Sequence, residues 1–137
     1  MHSKPSGPKT PEGTQGLKYV IQFHRASHDH YDLRLEMDGV LKSWAVPKEP
    51  PKEVGTKRLC IQVEDHVLEY GNFEGEIEEG YGKGTVKIWD KGTYDLENRK
   101  DSKIVFILHG KKLKGKYTIL KFAKAGENSW LLFKAKD

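Results

Sequence analysis

Residues His30 to Met37 (HYDLRLEM) alternate polar and apolar side chains without a break, and Asp38-Gly39 follows at once. Strict alternation places successive side chains on opposite faces of a strand, and Asp-Gly between alternating runs is the strongest short hairpin signal. Val40 to Val46 then reads as the return strand. A chain with this hairpin near its start must build a sheet, and the rest of the sequence has the same character. Tyr19–His24, Leu59–Glu64, Thr85–Trp89, Thr93–Leu96, Ile104–Leu108, Lys116–Phe122 and Trp130–Lys134 are further short strand candidates. Asp90-Lys91-Gly92 is expected to turn a hairpin, and Pro47 to Lys57 has room for one short helix. Eight or nine short strands with regular turn signals predict a mainly β fold, a closed or nearly closed barrel of about eight strands, because closure removes exposed edges. A sandwich is the alternative.

Residues 1–16 carry no apolar side chain after Met1 and predict a disordered segment or an arm lying on a surface. Residues 17–137 are expected to form one barrel domain. Gly71, Gly75, Gly80, Gly82 and Gly84 mark a long acidic connection. Cys60, the single cysteine, excludes an intramolecular disulfide and sits in an apolar run, as a buried inert thiol would. No apolar stretch approaches the roughly 18 residues of a membrane span, and the N-terminus lacks a signal-peptide core. A cytoplasmic monomer without membrane contact is the expectation. The net charge of +4 suits an anionic partner.

The chemistry concentrates where the strand phases coincide. His30, Asp32, Arg34 and Glu36 share one face of their strand, with Tyr31, Leu33, Leu35 and Met37 turned to the core. Gln22 and His24 share a face opposite Tyr19, Ile21 and Phe23. By the same alternation Gln62, Glu64 and His66 are expected together, with Leu59, Ile61 and Val63 inward. Side by side, these rows make one polar patch.

His30 and Asp32 stand about 6 to 7 Å apart along one strand face, and His24 adds a third ligand from a neighbour. Two imidazoles and a carboxylate leave open positions for water or substrate and suit Mn, Fe(II) or Zn. Arg34, in the same row, can grip two phosphate oxygens, the alternative being an ion pair with Glu36 or Glu64. His66 can donate a proton to phosphate, and Tyr70 can add a phenolic hydrogen bond. His2, His28 and His109 read as surface residues.

The strings VIQFHRASHDHYDLRLEMDGVLKSWAVPK, RLCIQVEDHVLEYGNFEGEI and YGKGTVKIWDKGTY closely resemble the 3′-phosphoesterase domain of ligase D proteins, also found free-standing in archaea. The resemblance runs from Val20 to Tyr94 and includes the ending WLLFKAKD. It implies a barrel and a Mn-dependent enzyme, with Zn2+ or Co2+ as possible substitutes. Such an enzyme removes a 3′-terminal ribonucleoside and then the 3′-phosphate from a DNA or RNA primer strand in repair. It further implies an end-joining DNA ligase and polymerase as partners.

By position, His24, His30 and Asp32 match the family's metal ligands, and Arg34, His66 and Tyr70 match residues around the scissile phosphate. Gln22, Lys48, Arg58, Glu64 and, in the arm, Glu12 match supporting or substrate-binding places. The chain departs from the family ahead of Thr10-Pro11-Glu12, where Pro5 and Ser6 stand in place of an upstream Arg-Asp pair. Two other function classes compete on the residues alone. One is an Fe(II) oxygenase, since His-x-Asp with a later His resembles a facial triad. The other is a non-catalytic nucleic-acid-binding barrel using Trp44, Trp89 and Trp130, residues that otherwise pack the core or the barrel ends.

Overall fold

The structure is a computed structural model that describes residues 10–78 and 83–136. Nine strands run in the order β1 Leu17–Arg25, β2 His30–Met37, β3 Val40–Val46, β4 Lys57–His66, β5 Gly75–Ile77, β6 Gly84–Lys100, β7 Lys103–His109, β8 Lys114–Lys121 and β9 Ser129–Lys134. Every pairing between them is antiparallel. The order β1-β2-β3-β4-β9-β8-β7-β6 closes through β6 against β1, giving an eight-stranded barrel, and β5 lies on the edge of β6. The expected barrel is therefore present, and the sandwich is not. Short 3₁₀ turns span Leu68–Asn72 and Ala123–Ala125. The segment between Pro47 and Lys57 forms no helix.

The β2–β3 hairpin forms as its sequence dictates. Asp38 and Gly39 both adopt positive φ, 58° and 81°, as the two-residue turn requires, and Met37 pairs with Val40. Leu33, Leu35 and Met37 turn inward and are buried with Tyr19, Ile21, Trp44, Phe106, Tyr117, Ile119 and Leu132. Cys60 is fully buried, and burial pushes its thiol up to about 12, so it stays protonated as expected.

Two strand expectations are overturned. First, Asp90-Lys91-Gly92 does not turn the chain: β6 continues through it for 17 residues. The polar triplet serves a bulge instead. Ile21 pairs with Asp90 and Gln22 with Ile88, so Trp89 is the extra residue. Gly92 is needed because a Cβ there would stand 2.3 Å from the His109 carbonyl oxygen. Asp90 turns inward, accepts from the Tyr19 hydroxyl at 2.8 Å, and receives the backbone N–H groups of Lys111, Lys112 and Leu113 at 2.9 to 3.0 Å.

Second, the apolar row of β4 faces out. Leu59, Ile61 and Val63 are 42%, 38% and 37% exposed, while Cys60 is buried and Gln62 pairs with inward Trp44. The cause is a bulge. Val63 pairs with Ser43 and His66 with Leu41, so three residues of β4 span two of β3. The extra residue inverts the phase, and His66 reaches the outer face while Gln62 does not.

Residues 10–16 lie on the barrel as an anchored arm, while 1–9 fall outside the described residues. Gly13 N–H donates to the Leu96 carbonyl at 2.6 Å and Leu96 N–H to Thr14 at 2.7 Å. Thr10 N–H donates to Asp38, whose carboxylate also takes both Arg99 Nη groups at 2.9 and 2.7 Å. In the acidic connection, residues 79–82 lie outside the described residues.

Burial draws the Asp90 carboxyl upward, but its four hydrogen bonds outweigh this and hold it below the ordinary carboxylate range. Its stabilisation is thus present above the unfolded pKa of about 4 and fades as pH falls through the lowered native value. Asp90→Asn sets an amide donor against other donors. Urea unfolding at pH 7 should show a loss of about 3 kcal/mol, on the scale of hydrogen bonds to a buried charge. A loss under about 1 kcal/mol would remove Asp90 from the framework.

Candidate metal centre and phosphate site

The site grows from the register of β1 on β2. His24 stands opposite His30, Gln22 opposite Asp32, and Val20 opposite Arg34. All three pairs lie on the outer face, since Ile21, Leu33 and Leu35 fill the barrel. The His24 and His30 rings are 4.9 Å apart between centroids. One ligand atom from each of His24, His30 and Asp32 lies within 4.8 Å of the others.

His30 Nδ1 stands 3.0 Å from the His28 carbonyl, which only accepts, so Nδ1 carries the proton. Nε2 then faces Asp32 Oδ1 at 3.4 Å. Two acceptors so placed need a cation between them, either a proton or a metal. Accordingly the hydrogen bond to Asp32 raises the His30 pKa, against the opposing effect of burial. The backbone partner on Nδ1 is the usual device that orients a ligating imidazole. A set of two imidazoles and one carboxylate fits a divalent transition-series ion such as Mn or Zn.

Arg34 is 3% exposed, and its guanidinium is held on nearly every side. Nε donates to Gln22 Oε1 at 2.5 Å and Nη1 to Ser43 Oγ at 2.8 Å. Nη1 also lies 3.1 Å from His66 Nδ1, and Nη2 lies 3.5 Å from Asp32 Oδ2. The Tyr70 ring covers the group at 4.9 Å. Burial lowers the Arg34 pKa while Asp32 and Tyr70 oppose this; a guanidinium stays charged under such conditions. Among the described residues Arg34 pairs with Asp32 and not with Glu36 or Glu64; the Glu36 carboxylate accepts from the Lys18 N–H. The Nη2 edge, beside Asp32, is the part of the fork left to meet a ligand.

Gln22 is fully buried and sets this geometry. Its Oε1 must face Arg34 Nε, which only donates, so Nε2 donates to the carbonyls of Tyr70 and Phe73 at 2.8 and 3.2 Å. The amide thereby ties the 68–72 turn to Arg34. Tyr70 stacks on Phe73 at 5.2 Å and leans on His66 at 4.7 Å. Burial is the main cause raising the Tyr70 pKa, so its hydroxyl keeps its proton.

Burial and then Arg34 lower the His66 pKa, leaving the ring neutral at pH 7. Its Nδ1 stands 3.1 Å from both an obligate donor, Arg34 Nη1, and an obligate acceptor, the Glu64 carbonyl. It satisfies one at a time. Accepting from Arg34 puts the proton on Nε2 as a donor, whereas donating to Glu64 leaves Nε2 an acceptor.

The structure thus brings together His24, His30, Asp32, Arg34, His66, Tyr70 and Gln22. It does not bring in the other four expected residues. Lys48 is exposed in the loop after β3, without a hydrogen bond or ion pair to the cluster among the described residues. Arg58 Nε braces that loop by donating to the Glu49 carbonyl at 2.7 Å. Glu64 contributes only its backbone, and Glu12 accepts from Asn98 at 3.2 Å in the arm. Ser43 is the residue that pattern reading missed. It was within reach, because a two-residue turn at Asp38-Gly39 forces Ser43 opposite Arg34. Of the other histidines, His28 is exposed, His109 pairs with Asp95 at 2.9 Å, and His2 lies outside the described residues.

Comparison with known proteins identifies the family. The family model described as the DNA Ligase D 3′-phosphoesterase domain matches residues 22–121, which hold every residue of the cluster. The multifunctional non-homologous end joining protein LigD of Pseudomonas aeruginosa is 46% identical over 98% of this chain and 17% of its own length. The LigD proteins of Mycobacterium bovis and Mycolicibacterium smegmatis are 44% and 42% identical over 93% and 98% of the chain. The chain spans less than a fifth of the length of each of these relatives. With a family match across most of the barrel and identity above 40% along nearly the whole chain, this protein belongs to the DNA ligase D 3′-phosphoesterase domain family.

Proposed function

We propose that this domain is a Mn-dependent hydrolase that trims the 3′ ends of DNA or RNA primer strands, removing a terminal ribonucleoside, a 3′-phosphate or both. The observation that carries the reading is the convergence of two imidazoles and one carboxylate within 4.8 Å, directly beside a buried guanidinium. His24, His30 and Asp32 would hold the ion, with Zn2+ or Co2+ as substitutes. When bound, the ion would supply positive charge and Lewis acidity to the phosphoryl oxygens.

The remaining roles belong to the chain's own side chains. Arg34 presents Nη2 toward that place and stabilises charge gathering on the phosphoryl group. His66, neutral and in contact with Arg34, holds a proton at Nε2 for a phosphate oxygen or the leaving oxygen. Tyr70 shields Arg34 from water and offers its hydroxyl as a further donor. Gln22 and Ser43 hold the guanidinium in register. The relatives' end-joining names make a DNA ligase and a polymerase the partners we propose. Release of phosphate from a 3′-phosphorylated primer with Mn tests the reading, because a non-catalytic binding barrel would retain the strand and release nothing.

Arg34→Lys keeps the charge and loses the fork that Gln22, Ser43 and His66 engage. Single-turnover rates should fall about 10²–10³-fold, the usual cost of a lost electrostatic donor, with Mn content near normal. A Lys variant with full rate would place Arg34 outside the reaction.

Metal and proton compete for His30, whose pKa is raised by Asp32. Mn affinity should therefore weaken as pH falls through the His range, and the acid limb of activity should retreat when Mn is raised. An acid limb indifferent to Mn would instead mark protonation of His66, whose lowered pKa keeps it neutral above that range.

A further inference from the structure

The bulge in β4 puts on one face two kinds of side chain that strict alternation would keep apart. Val63 and His66 lie three residues apart, yet both face outward, because three residues of β4 span two of β3. The bulge thus sets His66 against Arg34 and leaves Ile61 and Val63 on the same face in solvent, 38% and 37% exposed. Bulges that re-aim side chains in this way gather beside active sites. Single exposed aliphatic residues need no explanation, but these two are marked out by where they stand.

The register fixes their place. Asp32 pairs with Ala45 and Ala45 with Ile61, while Arg34 pairs with Ser43 and Ser43 with Val63. Ile61 and Val63 therefore stand two strand spacings, about 10 Å, from Asp32 and Arg34 on the outer face. One nucleoside reaches that far from its phosphate. The β1 side of Arg34 is closed, since Gln22 ties down the 68–72 turn and Tyr70 covers the guanidinium. The β4 side is open, as the exposure of Ile61 and Val63 shows. The wall's chemistry then selects the part of a strand that fits. Both side chains lack donor, acceptor and charge, and the adjoining Glu64 and Asp65 are exposed acids. A phosphate is repelled there, whereas the apolar face of a base is not.

We infer that Ile61 and Val63 form a subsite for the base of the nucleotide that bears the reacting 3′-phosphate. The inference deepens the function proposed above and rests on it for the class of substrate. Phosphate at Arg34 and base against β4 give the domain a two-point hold on a strand end. A wall without hydrogen-bonding groups reads no base edge, so all four bases are accepted alike. An end-trimming enzyme meets every sequence, and such a wall refuses none.

The test is a binding cycle on the full chain, read by fluorescence anisotropy without added metal so that no strand is hydrolysed. The probes are labelled single-stranded DNA oligonucleotides with a 3′-phosphate, ending either in an ordinary nucleotide or in a stable abasic analogue. Ile61→Thr/Val63→Thr keeps β-branching on an exposed face, so the strand is retained. Leu59→Thr, farther along the same row, is the control. Loss of the base should weaken binding to the wild type about fivefold. The double variant should bind the base-bearing probe as weakly as the abasic one and lose nothing more on the abasic probe. Leu59→Thr should match the wild type, and the four bases should bind within about threefold of one another. Equal affinity of the wild type for both probes, equal losses on both in the double variant, or no binding of either would overturn the subsite. Equal affinity is also the outcome if this face serves a protein partner instead. Coupled binding with no phosphate release on adding Mn would contradict the proposed function and leave the subsite standing. Phosphate release without coupling would do the reverse.

Discussion

The arrangement of the outer face depends on burying one positive charge. An arginine as enclosed as Arg34 is tolerated only when its N–H groups find acceptors and its charge finds a partner. Gln22 on β1, Asp32 on β2, Ser43 on β3 and His66 at the end of β4 meet those needs, and Tyr70 closes over the top. Each contact commits a different element to one geometry. Gln22 extends the commitment to the 68–72 turn through two carbonyls, so cover and guanidinium are positioned together. Asp32 faces Arg34 with one oxygen and His30 with the other, which joins the His24, His30 and Asp32 cluster to the same network. Removing Asp32 would leave a buried charge uncompensated, at a cost of about 3–5 kcal/mol.

The barrel makes this possible by separating two jobs across one sheet. Alternation sends Tyr19, Ile21, Leu33, Leu35 and Trp44 inward to pack, and Gln22, His24, Asp32, Arg34 and Ser43 outward to form the polar cluster. The polar row is then buried a second time from outside, by the 68–72 turn. Gly71 lies close enough there that an added Cβ would touch Val20 and Leu41 at 3.5 Å. That second covering gives the site its low-dielectric setting, in which hydrogen bonds and charges act more strongly than in water.

Much of this was legible in the sequence, wherever strict alternation met a tight turn. The β2–β3 hairpin, its register, and the shared face of His30, Asp32 and Arg34 follow from the octet and Asp38-Gly39. Bulges were not legible. A single extra residue in β4 reverses the inward and outward rows, so Leu59, Ile61 and Val63 were read as core and are exposed. The same irregularity at Trp89 turned an apparent hairpin into one long strand. Periodicity carries no mark of such insertions, which are settled by pairing partners far along the chain. Lys48, Arg58 and Glu12 came from resemblance alone, and their placement depends on loops and on the arm, which local pattern does not position.

The central claim is that His24, His30 and Asp32 together bind one divalent ion beside Arg34. Pulsed electron paramagnetic resonance of the Mn-loaded domain measures it directly, through nitrogen couplings from ligating imidazoles. The account predicts couplings from two histidines, one lost in His24→Ala, the other in His30→Ala, and both kept in Arg34→Ala. Mn bound without histidine nitrogen coupling, or couplings unchanged in both histidine variants, would contradict it.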